Sequence, residues 1–298
     1  MVARKKDRQR PPWLLSDRTV TQPLFCSIEL GKRIERAEAQ LIAAGTEAAI
    51  RRNPARAFVT PIAGGFACFG DDGAPFNKVV GLGFGGVPSE AALDDIESAY
   101  AARGAAVQVE MAHVADPEVG IVLTGRGYRL VAFENVLGRR LRGDETSQSP
   151  AAVQVRQCGE DELDAWLDVV VSGFAHPDDQ GVATHEDFPR EIVERAERDL
   201  VAAGALTYLA HREGVVAGGG GLRVTDGVAQ LVGAATAPEH RRQGVQSALL
   251  ATRLVDAARA GCDVAVVTTA PGSKSQQNVQ RQGFHLLYTR AVLVKVTE

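Results

Sequence analysis

Long apolar runs are missing from this 298-residue sequence. None approaches the roughly 18 residues of a membrane helix, so no membrane span is expected. Cysteine is scarce: Cys26, Cys68, Cys158 and Cys262 lie far apart and form no C-x-x-C pair. That spacing argues against a zinc site or a disulfide framework and for reduced thiols in a cytoplasm; no metal is expected. An excess of positive charge is also absent. The net charge of −4 gives no basic field to attract nucleic acid or an anionic membrane. Only the start is basic, with Arg4, Lys5, Lys6, Arg8 and Arg10. The apolar run that a secretion signal needs is cut short after Trp13-Leu14-Leu15 by Asp17 and Arg18. Residues 1–22 therefore read as a solvated basic tail, or a docking tail for an acidic partner. The remainder, 45% hydrophobic and 23% charged, is ordinary for a globular chain, and its length suggests two domains.

Periodicity predicts an alternation of elements. Ile28–Arg52 has helical spacing and stops at Asn53-Pro54. Short strands are expected at Ala57–Pro61, Phe66–Phe69 and Lys78–Gly83, then a helix over Ser89–Arg103 and a strand over Val107–Met111. A helix at Pro117–Arg126 and a strand at Tyr128–Phe133 follow. After polar residues 139–150, the pattern predicts a strand at Ala152–Arg156 and helices at Glu160–Phe174 and Phe188–Ala202. Thr207–His211 and Val215–Val224 form a hairpin. Gly218–Gly221 are unusual within a strand, and imply either a bulge or room for a ligand.

The most informative stretch follows the apolar strand Val228–Ala235. Pro238 bars its continuation, Arg241, Arg242 and Gly244 form a basic loop, and helical spacing resumes at Val245. The first N–H groups of a helix lack partners and sit at the positive end of its dipole. A glycine and two arginines there make a cradle for a phosphate or pyrophosphate.

Arg241-Arg242-Gln243-Gly244-Val245-Gln246 resembles the pyrophosphate loop of the GNAT acetyltransferase superfamily, Gln/Arg-x-x-Gly-x-Gly/Ala. Ser275–Asn278, Val279 and the closing Gly283-Phe284 resemble that family's next helix. Gln246 departs from the usual small residue, and Val279 stands where many members have a tyrosine that protonates the leaving thiolate. The resemblance covers roughly residues 228–290. It implies an α/β (α+β) fold of two GNAT-like domains, each a mixed, mostly antiparallel twisted sheet flanked by helices. The second half repeats the order of the first: Gly125–Val131 matches Arg281–Leu287, Val107–Met111 matches Val264–Thr268, and Val79–Gly81 matches Leu231–Gly233. We read a degenerate copy at 23–138 that lacks the Arg-x-x-Gly loop, a linker at 139–150, and the acetyltransferase domain at 151–298. Gly81-Leu82-Gly83-Phe84-Gly85-Gly86 satisfies G-x-G-x-x-G, but Val87-Pro88-Ser89 separate it from the next helix, so a strand-end turn is the better reading.

By this resemblance the cofactor is acetyl-CoA or another short acyl-CoA. Its pyrophosphate would rest on Arg241, Arg242, Gln243, Gly244, Val245, Gln246 and Ser247. Ala234, Ala235 and Thr236 would pair with the pantetheine arm, with Asn278 alongside. An N–H at Ala235 or Thr236 would polarise the thioester carbonyl. His176, with His185 as a second candidate, would take the proton of the amine, and Tyr288 would replace the missing tyrosine as acid. Asp178, Asp179, Glu186 and Asp187 gather negative charge suited to a cationic acceptor. The implied reaction is direct transfer of acetyl to a small-molecule amine. Alternatives are a non-catalytic acyl-CoA-binding scaffold, or a protein (lysine or N-terminal) acetyltransferase. A homodimer is compatible with this reading; no nucleic-acid or membrane partner is expected.

Overall fold

The computed structural model describes residues 23–146, 152–176, 180–182 and 188–296. Helix α1 spans Ile28–Arg52, and the Ser27 hydroxyl opens it by accepting from the Leu30 N–H at 3.2 Å. Strands β1 (Phe58–Ile62), β2 (Gly65–Phe69) and β3 (Lys78–Val80) follow, then α2 (Glu90–Ala101), β4 (Val107–Ala112), α3 (Pro117–Gly125) and β5 (Arg129–Arg140). The second half contains β6 (Val153–Gln157), α4 (Leu163–Phe174), α5 (Arg190–Ala202), β7 (Leu206–Arg212), β8 (Val215–Thr225) and β9 (Val228–Thr236). It closes with α6 (Val245–Arg259), β10 (Val264–Thr269), α7 (Lys274–Arg281) and β11 (His285–Lys295).

All of these strands join one sheet, in the order β1-β2-β3-β4-β11-β5-β10-β9-β8-β7-β6. Only β3/β4 and β9/β10 pair in parallel; the other neighbours are antiparallel. The mixed, mostly antiparallel sheet flanked by helices is therefore present, with the two halves fused edge to edge. The last strand of each half crosses over. β11 inserts between β4 and β5, while β5 lies between β11 and β10. This explains why β5 reaches Arg140, beyond both the expected strand end and the expected start of the linker. Its extra length is paired by strands from the other half.

The internal repeat is visible in the defects of this central pair. Register slips pass over Leu287 on β11 and Val131 on β5, which are equivalent positions of the repeat. Glu134 and Arg290, also equivalent, lie directly opposite each other. One face of the sheet carries α1, α4 and α5. The other carries α2, α3, α6 and α7.

Both glycine-rich segments are accounted for by packing. A Cβ on Gly85 would approach Gly64 to 2.6 Å, one on Gly83 would approach Ala115 to 2.8 Å, and the Gly83 carbonyl accepts from Asp116 N–H at 3.1 Å. The G-x-G-x-x-G stretch is thus a turn filled by its own chain. At Gly218–Gly221 a bulge is present, with slips between Ala210 and His211 on β7 and between Gly219 and Gly221 on β8. Room beside these glycines is taken up by the chain itself: Trp166 lies against Gly219 and the Arg253 guanidinium against Gly220. A Cβ on Gly219 would stand 2.8 Å from Val170 Cγ2 and 3.0 Å from Trp166 Cδ1. Gly219→Ala is accordingly expected to destabilise by about 1–3 kcal/mol through overpacking, read as a lower urea midpoint.

Candidate functional site

The site begins where two parallel strands part. β9 and β10 pair only through Val228–Gln230 and Val264–Val266. Beyond them Leu231–Thr236 and Val267–Thr269 diverge, leaving one side of each strand without its ladder. Gly233, at φ 52°, sits in the irregular stretch where β8 and β9 slip register. Ala237 N–H donates to Ala217 O at 3.0 Å on the β8 side. Successive residues alternate direction, so the Thr236 peptide groups face the fork. Two buried hydroxyls, Thr236 Oγ1 and Thr269 Oγ1, and the nearby His240 Nδ1 find no hydrogen-bond partner among the described residues. An open strand edge and orphaned polar atoms at its mouth suit an extended ligand bearing amide groups.

Beyond the fork, the chain turns into α6. Arg242 takes φ 62° and Gly244 φ 82°, both left-handed, and Gly244 caps the helix without a side-chain bond. The first backbone bond of this turn is Ala248 N–H to Gly244 O at 3.0 Å; no described residue accepts from the N–H groups of Arg242–Ser247. These donors converge at the positive helix end. Arg242 is exposed, and Arg241 reaches across to donate to the His176 carbonyl. A row of N–H donors at a helix start suits a diphosphate, and the open strand edge at Ala234, Ala235 and Thr236 suits an extended arm that carries amides.

Neighbouring segments close in around this fork. Gly173 of α4 lies so near β9 that a Cβ would meet Ala235 Cβ at 2.4 Å. Val182 N–H donates to Pro271 O at 3.2 Å, which places residues 180–182 against the loop that follows β10. Gln282 Nε2 approaches Ser247 Oγ at 3.5 Å, which sets α7 beside the start of α6, and Asn278 lies one turn away on the same helix face.

The proposed acid and base are less well placed. His176 stands at the rim, its Nδ1 2.8 Å from the Ser172 carbonyl and its own carbonyl engaged by Arg241. It belongs with the cradle rather than with Gly233, deeper in the fork. Tyr288 is not brought to the site. It is 1% exposed on β11, separated from the fork by β5 and β10, and donates to Glu35 Oε1 at 2.6 Å. Burial and the adjacent Glu35 push its hydroxyl well above the usual tyrosine range. Val279 is 3% exposed, packed in the apolar cluster with Phe284 and Val245. Asp178, Asp179, His185, Glu186 and Asp187 lie outside the described residues.

One carboxylate escapes the sequence reading. Glu197 of α5 is 8% exposed, and a Cβ built on Gly233 would be 3.0 Å from its Oε2 and 3.3 Å from Trp166 Cζ2. Among the described residues it has no hydrogen-bond or ion-pair partner, and burial alone raises its carboxyl from the ordinary 4.5 to about 7. A signal was available in the sequence. Ala196, Glu197 and Leu200 share the buried side of an otherwise polar helix, so a carboxylate falls among apolar positions. This shift makes stability pH-dependent. The unfolded chain gives up the proton first, so Glu197's contribution is complete below 4.5 and lost as pH rises through about 7. At ~1.4 kcal/mol per pH unit, about 3 kcal/mol is expected to disappear over that window. Urea titrations at several pH values should show Glu197→Gln flattening the decline.

Residues 174–284 match the model of the acetyltransferase (GNAT) family. No curated protein sequence matches the chain. Among solved structures, a GCN5-related N-acetyltransferase from Kribbella flavida is 20% identical, with a TM-score of 0.61 over 87% of this chain and 96% of its own. A tandem GNAT protein from the clavulanic acid biosynthesis pathway is 13% identical, with a TM-score of 0.57 over 92% and 97%. A GCN5-related N-acetyltransferase from Sphaerobacter thermophilus is 17% identical, with a TM-score of 0.53 over 91% and 94%. At these identities the likeness is one of fold.

Proposed function

We propose that the chain moves an acetyl group from acetyl-CoA to the amine of a small molecule by direct attack, a reading supported by the match of residues 174–284 to the acetyltransferase (GNAT) family model. The carrying observation is the row of N–H donors from Arg242 to Ser247, without acceptors among the described residues, at the mouth of the β9/β10 fork. The thioester supplies an activated acyl group. The chain's own part is to hold and align it. The cradle fixes the pyrophosphate, the strand edge at Ala234–Thr236 orients the arm, and peptide N–H groups at the fork polarise the carbonyl. The chain's other half contributes α1 and the exchanged strand β5, with its glycine turn closed on itself. The four free cysteines support a reducing, cytoplasmic setting.

A second reading rests on Val279 and Tyr288. Val279 has no proton to give and Tyr288 is buried against Glu35 beyond β5 and β10, which supports an acyl-CoA-binding scaffold without turnover unless water serves as the acid. Thiol release from acetyl-CoA, measured with a panel of primary amines and with a peptide bearing a lysine and a free N-terminus, separates the readings. Amine-dependent release above the water rate is expected. Tight coenzyme A binding without it would favour the scaffold, and preference for the peptide would redirect the acceptor class.

A further inference from the structure

We propose that Glu197 is the general base of this site, the group that takes the proton from the ammonium of the acceptor before attack; this rests on the transferase reading above. The argument starts from geometry. Glu197 lies over Gly233, the residue of β9 whose irregular backbone marks the fork, and the missing side chain there leaves its carboxylate against the strand. Its other wall is Trp166, fixed by an indole N–H donated to Gly220 O at 3.3 Å.

Charged groups on the elements packed around it are engaged elsewhere. On α4, Asp164 and Asp168 face outward to Arg198 and Arg190 at 2.6 and 2.7 Å. On α1, Glu38 accepts from Gln230 at 2.9 Å, Glu35 holds Arg290 at 2.8 Å, and Arg52 binds Asp71 and Asp199, both at 2.7 Å. On α5 itself, Glu194 pairs with Arg190 at 2.7 Å and Arg195 lies 3.5 Å from Asp71. Arg223 of β8 donates to the Ala203 carbonyl, and β9 carries no titratable side chain. Burial with no counter-charge among the described residues therefore sets the Glu197 carboxyl near neutrality, where a base both accepts and releases protons readily.

A buried carboxylate without a partner costs stability, and its position beside the fork gives that cost a use. In the step, the ammonium gives one proton to Glu197, which passes it to solvent. The freed nitrogen pair forms the C–N bond and the C–S bond breaks. The second proton lost by nitrogen ends on the sulfur of coenzyme A. Atoms and charge balance, with one proton released per turnover.

The test is Glu197→Gln, with Glu197→Asp beside it. Thiol release from acetyl-CoA is followed with primary amines and with water alone, from about pH 5.5 to about 9, and coenzyme A affinity is taken by calorimetry. We expect kcat of the glutamine variant to fall ~100-fold or more, the rise of rate through neutral pH to vanish, and affinity to stay within two-fold. Partial recovery is expected in the aspartate variant, with a displaced pH midpoint. Removing the buried charge should leave the thermal midpoint equal or higher, so misfolding is readily recognised. Wild-type kcat and pH dependence in Glu197→Gln would overturn the assignment. Failure of the wild-type protein to bind acetyl-CoA at all is a separate result, which sinks the transferase reading and the base with it.

Discussion

Gly244→Glu is expected to weaken coenzyme A binding by at least ~100-fold, the largest functional effect of any single change to the loop. Two penalties combine. Gly244 sits at φ 82°, a left-handed conformation that costs a side-chain-bearing residue about 1–3 kcal/mol where no local compensation exists. The new carboxylate then stands at the positive end of α6, beside the N–H groups that await an anion. It repels the diphosphate and competes for the same donors. Gly244→Ala separates the two terms, since alanine carries the strain but no charge. Calorimetry on both variants should show a moderate loss for alanine and a much larger one for glutamate, with raised salt closing part of the difference. Wild-type affinity in Gly244→Glu would mean that the cofactor is held elsewhere.

The largest loss of stability is expected from Arg290→Met, about 3–5 kcal/mol. Arg290 is 2% exposed at the centre of the sheet, bonded to Glu35 at 2.8 Å and flanked by Glu38, Glu134 and Glu110 at 3.7, 3.6 and 4.0 Å. Lys78 pairs with Glu110, and the Tyr288 hydroxyl donates to Glu35. Burial opposes the charge on the guanidinium, but Glu35 and Glu38 outweigh it and hold its pKa well above the usual value. Burial already raises the Glu35 carboxyl even with Arg290 present, and it raises Glu134 to about 7 with help from Glu110. Methionine would leave these carboxylates crowded together without their common cation. Because α1 meets β11 here, the loss should loosen the contact between the two halves, seen as a lower urea midpoint and faster amide exchange along β11. Adding Glu35→Gln to Arg290→Met should restore a substantial part, since it removes a charge that the single variant strands. A purely additive double variant would show that the pair is not coupled.

Much of this was legible in local sequence because its physics is local. The bounds of α1 follow from Ser27 and Asn53-Pro54, and the cradle follows from an apolar strand, Pro238, two arginines and Gly244 within a few residues. The spacing of Val79–Gly81, Val107–Met111 and Gly125–Val131 against their counterparts announced the repeat. Each signal depends on caps, turn preferences or periodicity that a short window carries. Tertiary structure decided the rest. The exchange of β5 and β11 pairs residues more than a hundred apart, and nothing near Tyr128 or Gly283 says which half will supply the neighbouring strand. That exchange takes Tyr288 away from the fork and gives its hydroxyl to Glu35. It also turns Glu134 and Arg290, equivalent in the repeat, into a facing pair. For Glu197, helical periodicity marks a carboxylate on the buried side of α5 but not how far it is desolvated. Only the packing of α5 over Gly233 and Trp166 strips it of water, because desolvation depends on what covers a group in space and not on its neighbours in the chain.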